Sequence, residues 1–237
     1  MKTQDIEYSV GGKRFVGYFA VDEGRAGARP GVLVGPEGGG LVELTKSIAR
    51  RLAEAGYAAF AMDYYGDGQA LSDMNQVMAR LGPWMVDPAG IREIAAVALG
   101  VLAGQAETDP SRLAAIGYCF GGTTALELAR SGAELKAVVG FHSGLATARP
   151  GDAANIKARV LVNIGADDPI IPPEQRLAFE KEMTDGGVDW RMNLYGGAGH
   201  SFTNPDVGAL GRAGFAYDER TDRRSWTAMM DMFDEAL

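Results

Sequence analysis

Cysteine and histidine are scarce in this chain of 237 residues. It contains one cysteine, Cys119, and two histidines, His142 and His200. A single cysteine cannot form an intramolecular disulfide or build a cysteine-based zinc cluster. The sequence therefore excludes a disulfide-stapled scaffold, and the lone thiol serves either packing or chemistry.

Long apolar runs and basic runs are also missing. No apolar stretch approaches the ~20 residues of a membrane span, and the N-terminal segment lacks the apolar region of a signal peptide. The 23 basic and 31 acidic residues leave a net charge of −8 without a Lys/Arg run, which argues against nucleic-acid or anionic-membrane binding. We expect a cytoplasmic protein that acts on a small molecule.

Glycine is abundant, at 33 residues, but it follows no G-X-Y period and forms no low-complexity tract. The composition, 46% hydrophobic and 23% charged, is that of an ordinary globular protein with one substantial core. No linker or internal repeat interrupts the chain. We expect a single domain over residues 1–237.

Short apolar runs alternate with helical patterns along most of the chain. The runs cover residues 31–34, 58–62, 113–117, 137–141 and 160–164. They are apolar at consecutive positions, which is typical of parallel strands covered by helices on both faces. Residues 4–20 predict an antiparallel hairpin that turns at Gly11-Gly12. With a further strand-like segment at 190–194, the pattern predicts an α/β fold with a mostly parallel central sheet of about 8 strands.

The run at 113–117 leads directly into Gly117-Tyr118-Cys119-Phe120-Gly121-Gly122 and then into a helical segment. A strand, a sharp glycine-flanked turn and a helix form the context in which a G-x-S-x-G motif presents its nucleophile, here with cysteine in the serine position. Such a residue stands at a helix N-terminus, which favours a thiolate and a developing oxyanion. Cys119 is the predicted nucleophile, and a small buried side chain is the alternative.

A thiol nucleophile needs a base, and only two histidines are present. His200 lies in a glycine-rich loop near the end of the chain, which fits the chain order nucleophile, acid, histidine of α/β hydrolases. His142 follows the strand after the nucleophile, with no candidate acid between it and Cys119. We expect His200 to be the base. The acid should follow the run at 160–164, where Asp167 and Asp168 are adjacent, and position alone does not choose between them.

These residues carry a resemblance to the dienelactone hydrolase family of α/β hydrolases. The matching segments are residues 36–40, 117–122, 165–172 and 195–202. In that family two residues separate the triad acid from an aliphatic-proline pair. In this chain Ile171-Pro172 is such a pair, so the resemblance selects Asp168. The resemblance implies an α/β-hydrolase fold and hydrolysis of an ester or lactone, as in a carboxymethylenebutenolidase, through an acyl-thioester on Cys119 with no metal or cofactor.

The resemblance also implies roles for three residues around that triad. Glu37 corresponds to a glutamate that contacts the resting thiol until substrate binds; a solvated loop carboxylate is the alternative. The backbone N–H groups of Gly38 and Phe120 correspond to the two oxyanion donors. The role of Asp167 stays open.

Substrate contacts are less well defined. Family members hold a substrate carboxylate with arginines, one of them shortly after the histidine, but residues 201–205 of this chain contain none. Arg80 lies roughly where another such arginine stands, with a solvated helix residue as the alternative. His142, at the carboxyl end of a strand, is placed either in the pocket or in a structural role. The remaining candidates are Tyr118 and Phe202 as substrate contacts, and Tyr64, Tyr65 and Trp84 as pocket or packing residues.

Two alternatives to hydrolysis stay open. An acyltransferase or thioester hydrolase would use the same scaffold with a different acceptor or substrate, and a binding module would keep the fold with a dead site. The sequence leaves the oligomeric state, a monomer or a small homo-oligomer, undecided.

Overall fold

The computed structural model describes residues 1–237 and contains one eight-stranded sheet flanked by helices. The strands are β1 (Lys2–Val10), β2 (Lys13–Val21), β3 (Arg29–Gly35), β4 (Ala58–Ala61), β5 (Thr108–Tyr118), β6 (Ala137–Phe141), β7 (Arg159–Gly165) and β8 (Trp190–Tyr195). They lie in the order β1-β2-β4-β3-β5-β6-β7-β8. β2 pairs antiparallel with β1 and β4, and all other pairs are parallel. The predicted fold class is confirmed.

Six α-helices and two short 3-10 helices connect the strands. The α-helices are α1 (Glu43–Ala55), α2 (Met74–Val86), α3 (Ala89–Ala103), α4 (Phe120–Arg130), α5 (Pro173–Asp185) and α6 (Glu219–Ala236), and the 3-10 helices are Pro150–Asn155 and Val207–Leu210. α1 and α6 pack on one face of the sheet, and α3, α4 and α5 pack on the other. None of these helices has the length and apolar character needed to cross a membrane.

The apolar runs are continuous because both faces of the sheet are covered. In β3, Leu33 points into the apolar cluster with α3 and α4, while Val32 and Val34 point into the cluster with α1 and α6. All three side chains are at most 2% exposed. Consecutive apolar residues therefore serve two separate cores, as a doubly covered parallel sheet requires.

The N-terminal hairpin forms as predicted. β1 and β2 pair from Lys2 with Val21 to Val10 with Lys13. Gly11 and Gly12 make the turn with φ of +56° and +79°. Two successive residues with positive φ give the turn whose twist matches the flanking strands, and glycine adopts that conformation without strain.

The helical spacing of Trp226, Met230, Phe233 and Leu237 in the sequence predicts an apolar stripe on the last helix, and the structure differs from it in detail. The structure buries Met229, Met232 and Phe233 against the sheet, whereas Trp226 and Met230 are only half-buried. The guanidinium of Arg51 covers the Trp226 ring at 3.6 Å from the ring centre. A cation on the ring face explains why this large residue sits at the rim of the core.

Strands β3 to β8 run parallel, so the candidate functional residues that follow them lie at one end of the sheet, at the carboxyl ends of the strands. Five of these strands have their carboxyl ends there: β3, β5, β6, β7 and β8. The segments that follow them carry, in the same order, Glu37, Cys119, His142, Asp168 and His200. Ligand sites of open α/β sheets form at the carboxyl ends of the strands.

Candidate active site

Cys119 occupies the sharp turn between β5 and α4. Its backbone has φ 53° and ψ −119°, a conformation that non-glycine residues rarely adopt. The turn is held in place by the Cys119 N–H, which donates to the carbonyl of Phe141 on β6 at 3.0 Å. The Cys119 side chain is half-buried. A thiol in this position is raised above the sheet edge and remains reachable by a small molecule.

The glycines of the turn are required by close backbone contact. A Cβ atom on Gly117 would overlap the backbone of Gly121, and one on Gly121 would overlap the carbonyl of Gly35 on β3. Larger residues at either position would push β5, α4 and β3 apart. The strained backbone at Cys119 is maintained because its surroundings leave it no other conformation.

His200 links the thiol to a buried carboxylate. Its Nε2 lies 3.2 Å from Cys119 Sγ, and its Nδ1 lies 2.7 Å from Asp168 Oδ2. The other carboxylate oxygen of Asp168 accepts from the Ile170 N–H at 2.8 Å. Asp168 is therefore fixed by the chain that follows it, and it in turn orients the imidazole with Nδ1–H as the donor.

The two adjacent aspartates have different surroundings. Asp168 is 4% exposed and faces His200, whereas the Asp167 side chain is exposed to solvent. Asp167 contributes its backbone N–H, which donates to the carbonyl of Ala198 at 3.0 Å. The structure thus brings Asp168, and not Asp167, to the histidine.

The charge state of His200 follows from its partners. Burial disfavours the imidazolium, but the negative charges of Cys119 and Asp168 outweigh burial and raise the pKa of His200 to about 10. A histidine between two anionic groups holds its proton at neutral pH. The geometry is that of a cysteine paired with a protonated histidine.

Two backbone N–H groups in the loop after β3 and at the start of α4 have no protein acceptor. Phe120 is the first residue of α4, so its N–H has no acceptor within the helix, and the Gly38 N–H donates to no protein acceptor. Free N–H groups at a helix N-terminus and a neighbouring loop are the usual components of an oxyanion hole in this type of turn.

Two tyrosines that sequence analysis placed only as pocket or packing residues hold the Gly38 loop. The single O–H of Tyr64 is shared between the carbonyls of Pro36 and Glu37, and the hydroxyl of Tyr65 donates to the carbonyl of Gly38. Both side chains are 1% exposed, and burial raises the pKa of Tyr65 to about 12. Both hydroxyls therefore keep their protons and act as donors.

Asp63 anchors these tyrosines, and sequence analysis missed it. Its carboxylate is fully buried and accepts backbone N–H bonds from Val16, Tyr65, Gly66 and Gly68 at 2.8–3.2 Å. The available signal was an aspartate before an aromatic pair and a glycine, directly after a strand. Short side chains of this type satisfy the backbone of tight turns.

Glu37 lies close to the thiol–imidazole pair but is not bonded to the thiol. Its Oε1 accepts from the Ser201 hydroxyl at 3.0 Å, and its Oε2 accepts from the Asn204 side chain at 2.7 Å. Burial raises the pKa of Glu37, while Asn204, Ser201 and the His200 charge oppose that effect. The contact with the resting thiol that the resemblance implies is replaced by these two bonds.

His142 lies beneath His200 and does not line an accessible pocket. It is fully buried, its ring centre is 5.2 Å from that of His200, and its Nε2 bonds to the Thr203 hydroxyl at 2.8 Å. Burial and the charge of His200 lower the pKa of His142 well below its ordinary value. His142 is therefore a neutral imidazole that packs against the charged one.

Two candidate substrate contacts are also packed away from solvent. Phe202 is fully buried, with its ring against His142 at 5.1 Å. Tyr118 stacks on Phe141 at 4.6 Å, on the face of the sheet covered by α1 and α6. The structure gives neither ring a surface that a substrate could touch, because residues adjacent to Cys119 and His200 in sequence point to the core.

Helix α2 supplies the apolar wall next to the donors. A Cβ atom on Gly38 would lie 3.1 Å from Val77 and 3.4 Å from Leu81. Trp84 is half-buried and stacks on the Phe120 ring at 6.1 Å. Arg80 is exposed on the same helix, and its charge acts on Tyr65. The surroundings of the donors are thus mainly aromatic and aliphatic.

The chain has no group of three or more His, Cys, Asp or Glu side chains that could hold a metal ion. A sharp strand–helix turn at the carboxyl ends of a mostly parallel eight-stranded sheet is typical of the α/β-hydrolase fold.

Comparison with known proteins narrows this class to one family. The model of the dienelactone hydrolase family matches residues 15–237, and the chain belongs to that family. It is accordingly a carboxylic ester hydrolase of the dienelactone hydrolase type, acting on a small ester or lactone.

Individual relatives agree with this assignment. A putative carboxymethylenebutenolidase of Yersinia pestis is 29% identical, over 94% of this chain and 85% of its own. A solved structure named m3DLH is 49% identical with a TM-score of 0.97, over 100% of this chain and 98% of its own. The structure of a dienelactone hydrolase-like promiscuous phosphotriesterase from metagenomic libraries is 45% identical with a TM-score of 0.95, over 99% of this chain and 98% of its own.

Proposed function

We propose that this protein hydrolyses its ester or lactone through an acyl-thioester on Cys119. One observation carries the proposal: the unbroken chain of hydrogen bonds from the half-buried Cys119 thiol through His200 to the buried carboxylate of Asp168. This is the arrangement of an activated nucleophile, its base and the group that orients the base.

In the first half of the reaction, the Cys119 thiolate attacks the carbonyl carbon of the ester. The carbonyl π-bond electrons move to oxygen, and the N–H groups of Gly38 and Phe120 donate to that oxyanion. As the tetrahedral intermediate collapses, the bond to the alcohol oxygen breaks. The leaving oxygen takes the proton from His200 Nε2, and the acyl group stays on sulfur.

In the second half, His200 acts as a base. The charge of Cys119 contributes to the raised pKa of His200, and acylation removes that charge from sulfur. The histidine, neutral since it gave its proton to the leaving oxygen, therefore stays neutral until it accepts a proton from an attacking water. The second tetrahedral intermediate releases the carboxylic acid and returns the electron pair to sulfur. The two halves use the same donors and the same histidine.

The surroundings of the thiol favour an uncharged substrate with an apolar or aromatic part. Val77, Leu81 and Trp84 flank the donor loop and the Phe120 ring. Family members carry an arginine shortly after the histidine, but residues 201–205 of this chain contain no arginine. Arg80 is exposed on α2. A neutral ester needs no buried cation for binding.

The decisive test is the initial rate of p-nitrophenyl acetate hydrolysis by the wild type and by Cys119→Ala, with a dienelactone measured alongside. We expect the variant to lose on the order of 10³-fold or more in kcat. Rapid acid quench followed by mass spectrometry of the wild type should find one acetyl group on the Cys119 peptide. Undiminished hydrolysis by Cys119→Ala would remove the thiol from the mechanism.

A second candidate activity is the hydrolysis of phosphotriesters at the same thiol. It is supported by the 45% identical relative that is described as a promiscuous phosphotriesterase, and by the mainly uncharged surroundings of the donors, since a phosphotriester is itself neutral. The thiolate would displace an aryloxide from phosphorus, His200 would protonate it, and water would cleave the S–P bond. Release of p-nitrophenol from a dialkyl p-nitrophenyl phosphate should depend on Cys119; equal rates in Cys119→Ala would exclude this activity.

A further inference from the structure

The Glu37 side chain is held by two residues of the segment that follows His200. Ser201 donates to one carboxylate oxygen and Asn204 donates to the other, at 3.0 and 2.7 Å. Ser201 is 4% exposed, so at least this bond is shielded from solvent. A half-buried carboxylate with a donor on each oxygen has little freedom to turn toward another partner.

The donors themselves are fixed by local structure. Asn204 Oδ1 accepts from the Asp206 N–H at 3.0 Å, which orients the amide so that Nδ2 faces Glu37. The Asn204 N–H donates to the Ser201 carbonyl at 2.9 Å, closing a turn, and Ser201 has the positive φ of 54°. This turn sets the distance between the two donors, so the pair matches one carboxylate.

The backbone of Glu37 is fixed as well. Its carbonyl accepts from the Tyr64 hydroxyl at 2.8 Å and from the Gly40 N–H at 2.9 Å. The remaining freedom of Glu37 is the rotation of its side chain about its own bonds. The two donors on the segment after His200 remove that freedom in the folded protein.

A freed Glu37 carboxylate would disturb the thiol–imidazole pair. Glu37 is close enough to His200 for their charges to interact, and both Glu37 and Cys119 act on the Tyr64 hydroxyl. A mobile carboxylate at this distance could accept the imidazolium proton or repel a thiolate in a site of low dielectric. Either event would lower the fraction of thiolate paired with His200.

We propose that Ser201 and Asn204 form a clamp that holds the Glu37 carboxylate away from Cys119, so that the resting thiol is paired with His200 before any substrate binds. The proposal rests on the proposed function in one respect: it takes Cys119 as the nucleophile. Because nothing has to displace Glu37 from the thiol, the substrate needs no carboxylate to activate the enzyme. Neutral esters should therefore acylate Cys119 as readily as acidic ones of the same size.

The test measures alkylation of Cys119 by iodoacetamide near neutral pH, without substrate. Asn204→Ala should react about tenfold more slowly than the wild type, because the thiolate is the reactive form. Ser201→Ala, which removes the other donor, should change the rate in the same direction. Asn75→Ala is the matched control, since Asn75 is exposed and its side chain makes no hydrogen bond.

A double-variant comparison separates the clamp from a general structural effect. In a Glu37→Ala background there is no carboxylate to release, so adding Asn204→Ala should leave the alkylation rate unchanged. A loss that persists in this background would assign Asn204 a purely structural role and overturn the proposal. Wild-type rates in both Asn204→Ala and Ser201→Ala would also overturn it. Circular dichroism of each variant checks that the fold is intact.

Alkylation needs no turnover, so its outcome is independent of the test of the proposed function. If Cys119→Ala keeps full esterase activity, the acyl-thioester mechanism fails whatever the alkylation rates are. If that variant is inactive and the two clamp variants react like the wild type, the mechanism stands and the clamp fails.

Discussion

The Tyr64 hydroxyl, shared with the Pro36 carbonyl, reaches the Glu37 carbonyl oxygen at 2.8 Å, and this oxygen belongs to the same peptide group as the Gly38 N–H. A peptide group is planar and trans, so fixing its oxygen fixes the direction of its N–H. A tyrosine on the loop after β4 thereby orients one of the two proposed oxyanion donors without touching the substrate.

Tyr64→Phe should therefore lower kcat for p-nitrophenyl acetate by about tenfold while changing KM little, because an oriented donor acts mainly in the transition state. Tyr57→Phe is the control, since Tyr57 packs against Phe233 on the opposite face of the sheet. An unchanged kcat in Tyr64→Phe would show that the loop keeps its orientation without this hydroxyl.

The adjacent aspartates offer a matched pair of variants. Asp168→Asn should reduce kcat by about 100-fold or more, because an amide favours the wrong imidazole tautomer and does not stabilise the imidazolium. Asp167→Asn changes an exposed side chain and should stay within about twofold of the wild type. Equal losses in the two variants would argue against Asp168 as the group that orients His200.

The two histidines should give separate titrations by NMR. The wild-type His200 signal should titrate with a pKa of about 10, whereas His142 should stay neutral through the neutral range. In Cys119→Ala the His200 pKa should fall, because the negative charge of the thiolate is gone and only Asp168 still raises it. A wild-type His200 that titrates near its ordinary value of 6.5 would contradict the charge pairing.

Buried, neutral His142 makes stability depend on pH. In the unfolded chain it binds a proton below pH 6.5, and in the folded protein its pKa lies well below that value. The unfolded state therefore binds more protons as the pH falls through 6.5, and its free energy drops by up to about 1.4 kcal/mol per pH unit relative to the folded state. This contribution to the free energy of unfolding is intact above pH 6.5 and is lost below it.

His142→Asn should remove that slope, and asparagine tolerates the positive φ of 40° found here. Urea unfolding of both proteins between about pH 5 and about pH 8 measures it. Parallel stability curves for the wild type and the variant would mean that another group carries the acid dependence.

A buried ion network between α4 and α5 provides a stability test away from the site. Arg130 is fully buried and bonds to Glu127 at 2.9 Å and to Glu182 at 2.7 Å. Arg130→Leu leaves both carboxylates without this partner and should lower the free energy of unfolding by about 3–5 kcal/mol. Arg149→Leu breaks the exposed pair with Asp87 and should cost about 1 kcal/mol or less. A similar shift of the urea midpoint in both variants would contradict the prediction that the buried network stabilises the protein more than the exposed ion pair does.

Local patterns in the sequence were enough to predict the alternation of strands and helices. The apolar runs at 31–34 and 137–141 fall within β3 and β6, and Gly56 ends α1 with a φ of 107° as a helix-capping glycine does. These features depend on residues that are close together in the chain, so they can be predicted from a single sequence. The shifted stripe of α6 shows the limit, because the rotation of a helix is decided by what it packs against.

The features of the candidate site also fall into two groups, those that the sequence predicts and those that only the tertiary structure decides. The glycine-flanked turn at Cys119, the chain order of Cys119, Asp168 and His200, and the family resemblance were properties of the sequence by itself. Only the tertiary structure decided which residues are in contact at the carboxyl ends of the strands. It turned Tyr118 and Phe202 into the core, placed His142 under His200, and bonded Glu37 to Ser201 and Asn204.

The physical reason is the distance along the chain. Glu37 and Asn204 are 167 positions apart, and the Tyr64 hydroxyl reaches a carbonyl 27 positions away. A hydrogen bond depends on tenths of an ångström and on the direction of the donor. Residue types and spacings determine which groups are available to this site; only the packed sheet and its loops determine which donor faces which acceptor.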